Sequence, residues 1–345
     1  MNIRYSTSLL GLCLAIAGAG FLSPAAAQQW VMPRTPDGHP DLQGNWTNVT
    51  LTPFQRAEGQ GPVLTAEEVA RREQGAVDQL ISGAQASDPD RAAPPAGGNV
   101  GTFNNVYFER GARVAVINGE PRSSLLTNPS NGRMPSLTPE AERRIQERTE
   151  FRSQFGQFDN PENRSLIERC LLFSAIYAAY FSSAGPPMIP NGFYNDNYTI
   201  VQTADYVMIH PEMVHDTRII RLGEPDPPPP HIKQWLGYSW GRWEGDVLVV
   251  ETTNFHALQD LRGIPPTDDL KVIERFSRVD EETILYEFTI DDPTSYTQPW
   301  GGEIPFKKFD DLLYEYACHE GNYALSNVLS GARYQERQAE QNRPE

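Results

Sequence analysis

From Tyr198 to Pro293 the chain is a series of short runs rich in Val, Ile, Thr, Phe and Tyr, broken by Gly, Asp and Glu connections. Helical spacing of apolar residues is absent throughout this span. Trp235–Trp243 and Val247–Phe255 flank the turn Glu244-Gly245-Asp246, and Lys271–Val279 and Thr283–Ile290 flank Asp280-Glu281-Glu282. Both read as β-hairpins. Lys271–Arg278 alternates only in part, whereas Leu285–Ile290 alternates cleanly, the mark of a strand with one face in water. Upstream, Thr199–Thr203, Tyr206–His210 and Asp216–Leu222 carry the same signal. Pro227–Pro230 follows, and four prolines in a row exclude a central strand.

The first half decorates this β core. Leu64-Thr65-Ala66-Glu67-Glu68 and Leu137-Thr138-Pro139-Glu140-Ala141-Glu142 are helix starts, each with a threonine cap and early acids. Ser82 to Gly101 is rich in Ala, Pro, Gly and Asp and reads as a loop. Leu166–Ala179 is an apolar helix or buried segment, and Arg333–Glu345 is a polar, fraying end. Gly44-Asn45-Trp46 opens the first strand.

Residues 1–27 stand apart. Arg4, the apolar run Leu9–Phe21 and Ala25-Ala26-Ala27 have the layout of a secretory signal peptide, too short to span a membrane. The expectation is a periplasmic or secreted protein, one domain over residues 28–345 with a helical and loop insertion near 60–185. The formal charge of −16 becomes −17 once Arg4 is removed, which disfavours nucleic acid and anionic lipid as partners. A small-molecule ligand or substrate is expected, with no stable membrane insertion. Oligomeric state is not legible.

Cys170 and Cys318 are the cysteines left after cleavage. An even pair in an oxidising compartment favours a disulfide. The competing reading, a nucleophilic cysteine, lacks a paired base in the sequence.

Catalytic signatures are mostly missing. There is no phosphate loop, no dinucleotide glycine fingerprint and no His-Glu-x-x-His helix, so the sequence calls for no cofactor or metal. Gly237-Tyr238-Ser239-Trp240-Gly241 fits the esterase pattern G-x-S-x-G, but a hairpin follows where a helix is required. The polar cluster Glu212, His215, Asp216 and Arg218 is the best candidate site. A bend at Pro211 lets His215 act as general base, with Asp216 orienting it and Arg218 stabilising an anion; a hairpin tip with an ordinary ion pair is the bland alternative. Tyr194 and His319 are candidate proton donors. His210, His215 and His319 have no spacing diagnostic of a metal. Trp235, Trp240, Trp243, Tyr296 and Trp300 line either a pocket or the core.

Thr35-Pro36-Asp37-Gly38 through Trp46, Gly241–Asp246 with Val249-Val250-Glu251-Thr252, Glu274-Arg275-Phe276 and Glu315–Tyr323 together resemble a large family of exported proteins from soil and aquatic bacteria, over most of the mature length. The resemblance implies export and a shared fold and carries no catalytic assignment. Gly44-x-Trp46 and the meander are similar to lipocalins, where such a Trp plugs one barrel end. The expected fold is mainly β: a lipocalin-like antiparallel β-barrel or strongly curved sheet over Leu42–Trp46 and Tyr198–Tyr316, with N-terminal helical decoration. The expected function is a cofactor-independent lyase, isomerase or hydrolase acting on a small, partly aromatic or carbonyl-bearing molecule. The alternative is a carrier of a hydrophobic ligand.

Overall fold

In the computed structural model, residues 30–86, 90, 92, 95, 111–172, 187–188, 196–213 and 216–342 are described. From Met32 onward the chain is one unit. In chain order its elements are β1 (Gly44–Thr47), α1 (Ala66–Gly83), β2 (Val116–Ile117), β3 (Glu120–Pro121), β4 (Leu126–Asn128), α2 (Pro139–Ser153), β5 (Asn197–Gln202), β6 (Tyr206–Pro211), β7 (Arg218–Leu222), β8 (Tyr238–Glu244), β9 (Val247–Thr253), β10 (Lys271–Asp280), β11 (Thr283–Asp291), β12 (Trp300–Lys308) and α3 (Tyr323–Gln341).

Nine strands form a closed, lipocalin-like barrel in the order β1-β5-β6-β7-β8-β9-β10-β11-β12, and β1 closes it by pairing with both β5 and β12. Closure removes the edges that the meander would otherwise expose. A ring in which every neighbour is antiparallel needs an even number of strands. Nine therefore force a parallel contact, and it falls between β7 and β8, with Arg221 opposite Trp240. That pairing corrects the wholly antiparallel expectation. It also explains the proline tract: residues 223–237 must carry the chain back along the barrel without joining the sheet, and Pro227–Pro230 cannot donate to a ladder.

Both hairpins form where the turns place them, with Trp243 opposite Leu248 and Arg278 opposite Ile284. Alternation sends Tyr198, Ile200, Val207, Ile209, Ile220, Val272, Phe276, Tyr286 and Phe306 inward. The start of β12 depends on its glycines. A Cβ on Gly301 would lie 2.0 Å from the Phe288 carbonyl oxygen, and one on Gly302 would lie 2.3 Å from that of Leu125. Only the absence of side chains lets β4 and β11 approach β12 that closely.

The N-terminal stretch covers the end where β8 turns into β9. Arg34 pairs with Asp246 at 2.8 Å, His39 stacks on Trp243, and Gln202 binds both the Leu42 amide and the Pro40 carbonyl. Trp46 is fully buried there: its Nε1 donates to Leu42 O at 3.0 Å, and Arg278 lies over its ring while donating to Asp41 O. This end is closed. The opposite end is formed by the starts of β5, β7, β8, β10 and β12.

Thr65 and Thr138 cap α1 and α2 as the sequence implies, Thr65 in a reciprocal capping box with Glu68. Helix α2 docks at the second barrel end through Thr138 N to Ser295 O and Thr138 Oγ1 to Thr294 O. The second predicted helix start opens α2, which ends at Ser153, and residues 173–186, most of the apolar segment Leu166–Ala179, lie outside the described ones. Two other expectations change. The last strand ends at Lys308 rather than near Tyr316, and much of the fraying tail is the helix α3. The disulfide joins Cys170 to Cys318 with a Cα–Cα distance of 5.8 Å, well inside bridging range.

Candidate functional site

The inside of the barrel is stratified. Toward the closed end lie Trp46, Tyr198, Phe276, Tyr286 and Phe306, with ring centroids 5.0 Å apart for Phe276–Tyr286 and 5.2 Å for Tyr286–Phe306. Toward the other end lie Phe54, Phe288, Tyr296 and Trp300, also in edge and stacked contact. Between these layers sits a charged network.

Arg218 enters from the first residue of β7 and Glu274 from the middle of β10, with side chains 4% and 1% exposed. Arg218 Nη1 donates to Glu274 Oε1 at 2.9 Å and Nη2 donates to Oε2 at 2.5 Å. The Tyr286 hydroxyl donates to Glu274 Oε1 at 3.0 Å. Nη2 also reaches Ser239 Oγ and Thr252 Oγ1, which bond each other at 2.8 Å. Burial, reinforced by Glu274, holds the Tyr286 hydroxyl far above its usual range, so it stays a donor. Tyr198 is pushed the same way by burial and then by Asp196, and its oxygen accepts from Asn48 Nδ2.

Ser239 is thus an interior strand residue tied into an ion-pair network. The strand continues past it, so the nucleophile-elbow geometry is absent. A void of about 10 Å³ remains beside the pair, walled by Tyr198, Ile209, Phe276, Tyr286 and Phe306. That is room for about one water.

Of the sequence candidates, Glu212, Asp216 and Arg218 are described near the start of β7. Glu212, just past β6, accepts from Asn197 Nδ2 at 3.1 Å. Asp216 is buried at 9% exposure, two residues before the buried Arg218. His215 and Tyr194 lie outside the described residues. His319 is exposed beside the disulfide, next to a groove of about 410 Å³ lined by Glu168, Tyr316, Cys318 and Glu320. His210 bonds Thr217 through Nδ1, and no group of three metal-ligating side chains occurs among the described residues.

Glu274, Tyr286 and Thr252 complete the network; Glu274 and Thr252 lie in the stretches that carry the family resemblance, but none of the three was assigned to the site from sequence. Glu274 lies 56 positions from Arg218, and only the barrel's closure brings β7 and β10 face to face. A single inward-facing acid in the alternating run of β10 was the available signal. Among the aromatics, Trp300 and Tyr296 are core, Trp243 is a stacking partner of His39, and Trp235 packs on His256. No protein-family model, curated protein or solved structure matches the chain.

Proposed function

We propose that this chain is an exported, cofactor-independent enzyme that performs general acid–base chemistry on a small, partly aromatic or carbonyl-bearing molecule at the barrel end where β7 begins. One observation supports this over a carrier: the barrel interior beside Tyr198, Phe276 and Tyr286 carries a buried charged network, Arg218 with Glu274, and not apolar walls alone. A carrier of a hydrophobic ligand needs apolar walls around a cavity of several hundred Å³. Asp216 and Arg218 are both buried, unlike the residues of a solvent-exposed hairpin tip.

In this reading His215 is the base and Asp216 its orienting partner, while Glu212 sets the polarity of the rim. Both Nη atoms of Arg218 are spent on Glu274, so Arg218 acts mainly as a positioning residue. It holds the Glu274 carboxylate in place through two hydrogen bonds and anchors the start of β7. Tyr194 and His319 are the proton donors to be tested by substitution. The test is turnover of small carbonyl compounds by the wild-type protein and by Asp216→Asn. Loss of rate with unchanged binding supports the reading; equal rates overturn the role of Asp216.

A further inference from the structure

Among the described residues, six of the twelve buried side-chain polar atoms that lack a hydrogen-bond partner belong to one corner of the same barrel end: Arg144 Nε, Arg148 Nη2, Arg262 Nε and Nη2, Tyr296 Oη and Trp300 Nε1. All six can donate. Buried donors are almost always paired, so their concentration in one place calls for an acceptor.

Arg262 is at the centre. Leu261 and Ile264 exchange backbone hydrogen bonds of 3.0 and 3.1 Å, leaving Arg262 and Gly263 as the two central residues of a tight turn, with φ of 53° and 83°. Such a turn favours Asn-Gly, and arginine is costly at its first position. The turn lays the guanidinium over the Phe54 ring, 3.3 Å from its centroid. Trp300 meets Phe54 edge-on, and Tyr296 meets Trp300 in the same way. Trp300 Nε1 approaches the Tyr296 hydroxyl and interacts with it weakly, short of full hydrogen-bond geometry.

The described carboxylates nearby already have partners. Asp260 holds Arg148 at 2.5 Å, Asp292 accepts from Thr267 Oγ1 and Ser295 N, and Glu140 is engaged by Arg143. Arg144 spends its one bond on Ser295 Oγ. Without a counter-ion, burial pushes the Arg262 guanidinium down to about 9. Arg144, Arg148 and Arg152 recur every fourth residue along α2 and make the approach basic in an otherwise acidic molecule.

We propose that this corner binds the carboxylate of a small aromatic acid, with Arg262, Trp300 and Tyr296 donating to the anion. The planar fork of arginine matches a carboxylate, the aromatic walls accept a flat ring, and the two-residue turn is the piece that shifts to admit it. The inference rests on the reading of this barrel end as the ligand site and names the ligand's anchoring group.

Titration with benzoate, followed through the Trp300 indole N–H in ¹H–¹⁵N NMR spectra, tests it. Trp300→Phe assigns the signal; if that variant does not fold, the signal is identified by its response to Tyr296→Phe. A saturable downfield shift is expected with benzoate and not with benzamide, and Arg262→Gln should weaken it at least tenfold. An unmoved indole signal, or an equal response in Arg262→Gln, overturns the site. A benzoate response without turnover of any compound leaves the anion site standing and removes the acid–base reading; turnover without a benzoate response does the reverse.

Discussion

Arg218 grips Glu274 through two parallel hydrogen bonds across the inside of the barrel, 2.9 and 2.5 Å long, with Tyr286 donating to the same carboxylate. Taking two charges out of water is costly, and each compensates the other only while both are present. Arg218→Met alone, or Glu274→Leu alone, is expected to cost ~3–5 kcal/mol by leaving a buried charge unpaired. The triple change Arg218→Met, Glu274→Leu and Tyr286→Phe should recover most of that. Urea unfolding of the set decides it. A triple variant as unstable as the singles would mean that the network, and not unpaired charge, holds the barrel.

Closure of the first barrel end depends on Trp46, which seals β1 against Leu42 and Arg278. Trp46→Ala should cost ~3–5 kcal/mol, the usual loss for deleting a buried aromatic ring. Arg278→Met, which keeps the packing over the ring, should cost markedly less. Equal losses would assign the closure to the Arg278 hydrogen bond at Asp41 O.

The Cys170–Cys318 bridge closes a separation of 148 residues. Removing it as Cys170→Ser with Cys318→Ser should lower stability by roughly 4–5 kcal/mol at most on the chain-entropy account. A change under about 1 kcal/mol in the urea midpoint analysis would place the constraint elsewhere.

On the outer wall Glu287 faces Glu303 across β11 and β12. Burial, and then Glu303, raises the Glu287 carboxyl above its ordinary 4.5. The folded state therefore holds this proton more tightly than the unfolded chain does. The contribution is fully present below 4.5 and is lost as pH rises through the higher folded value. Glu287→Gln should thus stabilise the protein at pH 7 and lose its advantage near pH 4. Thermal unfolding at the two pH values checks the sign.

How much of this the sequence carried depended on the range of the interaction. Thr65 and Thr138 were legible as caps because capping is settled within four residues. Both hairpins were legible because turn and alternation agree. Arg218 stood out as a member of the polar cluster with Glu212, His215 and Asp216, but Glu274 could not be paired with it before the register of β7 through β10 was known. The parallel β7–β8 contact follows from an odd strand count, and β12, with its two glycines and proline, has a weak strand signature of its own. Helix α3 was missed because it has no side-chain cap and no acidic first turn, so no start signal announces it.

The central claim is acid–base turnover at the β7 end of the barrel. Its most direct measurement is ¹H NMR of mixtures of small aromatic and carbonyl-bearing compounds incubated with wild-type protein and with His215→Ala, followed over time. The account predicts that at least one compound is converted by the wild type and that His215→Ala slows this by on the order of 10²–10⁴-fold, with unfolding midpoint and ligand line-broadening unchanged. Compounds that bind both proteins and are converted by neither would contradict it and leave a carrier.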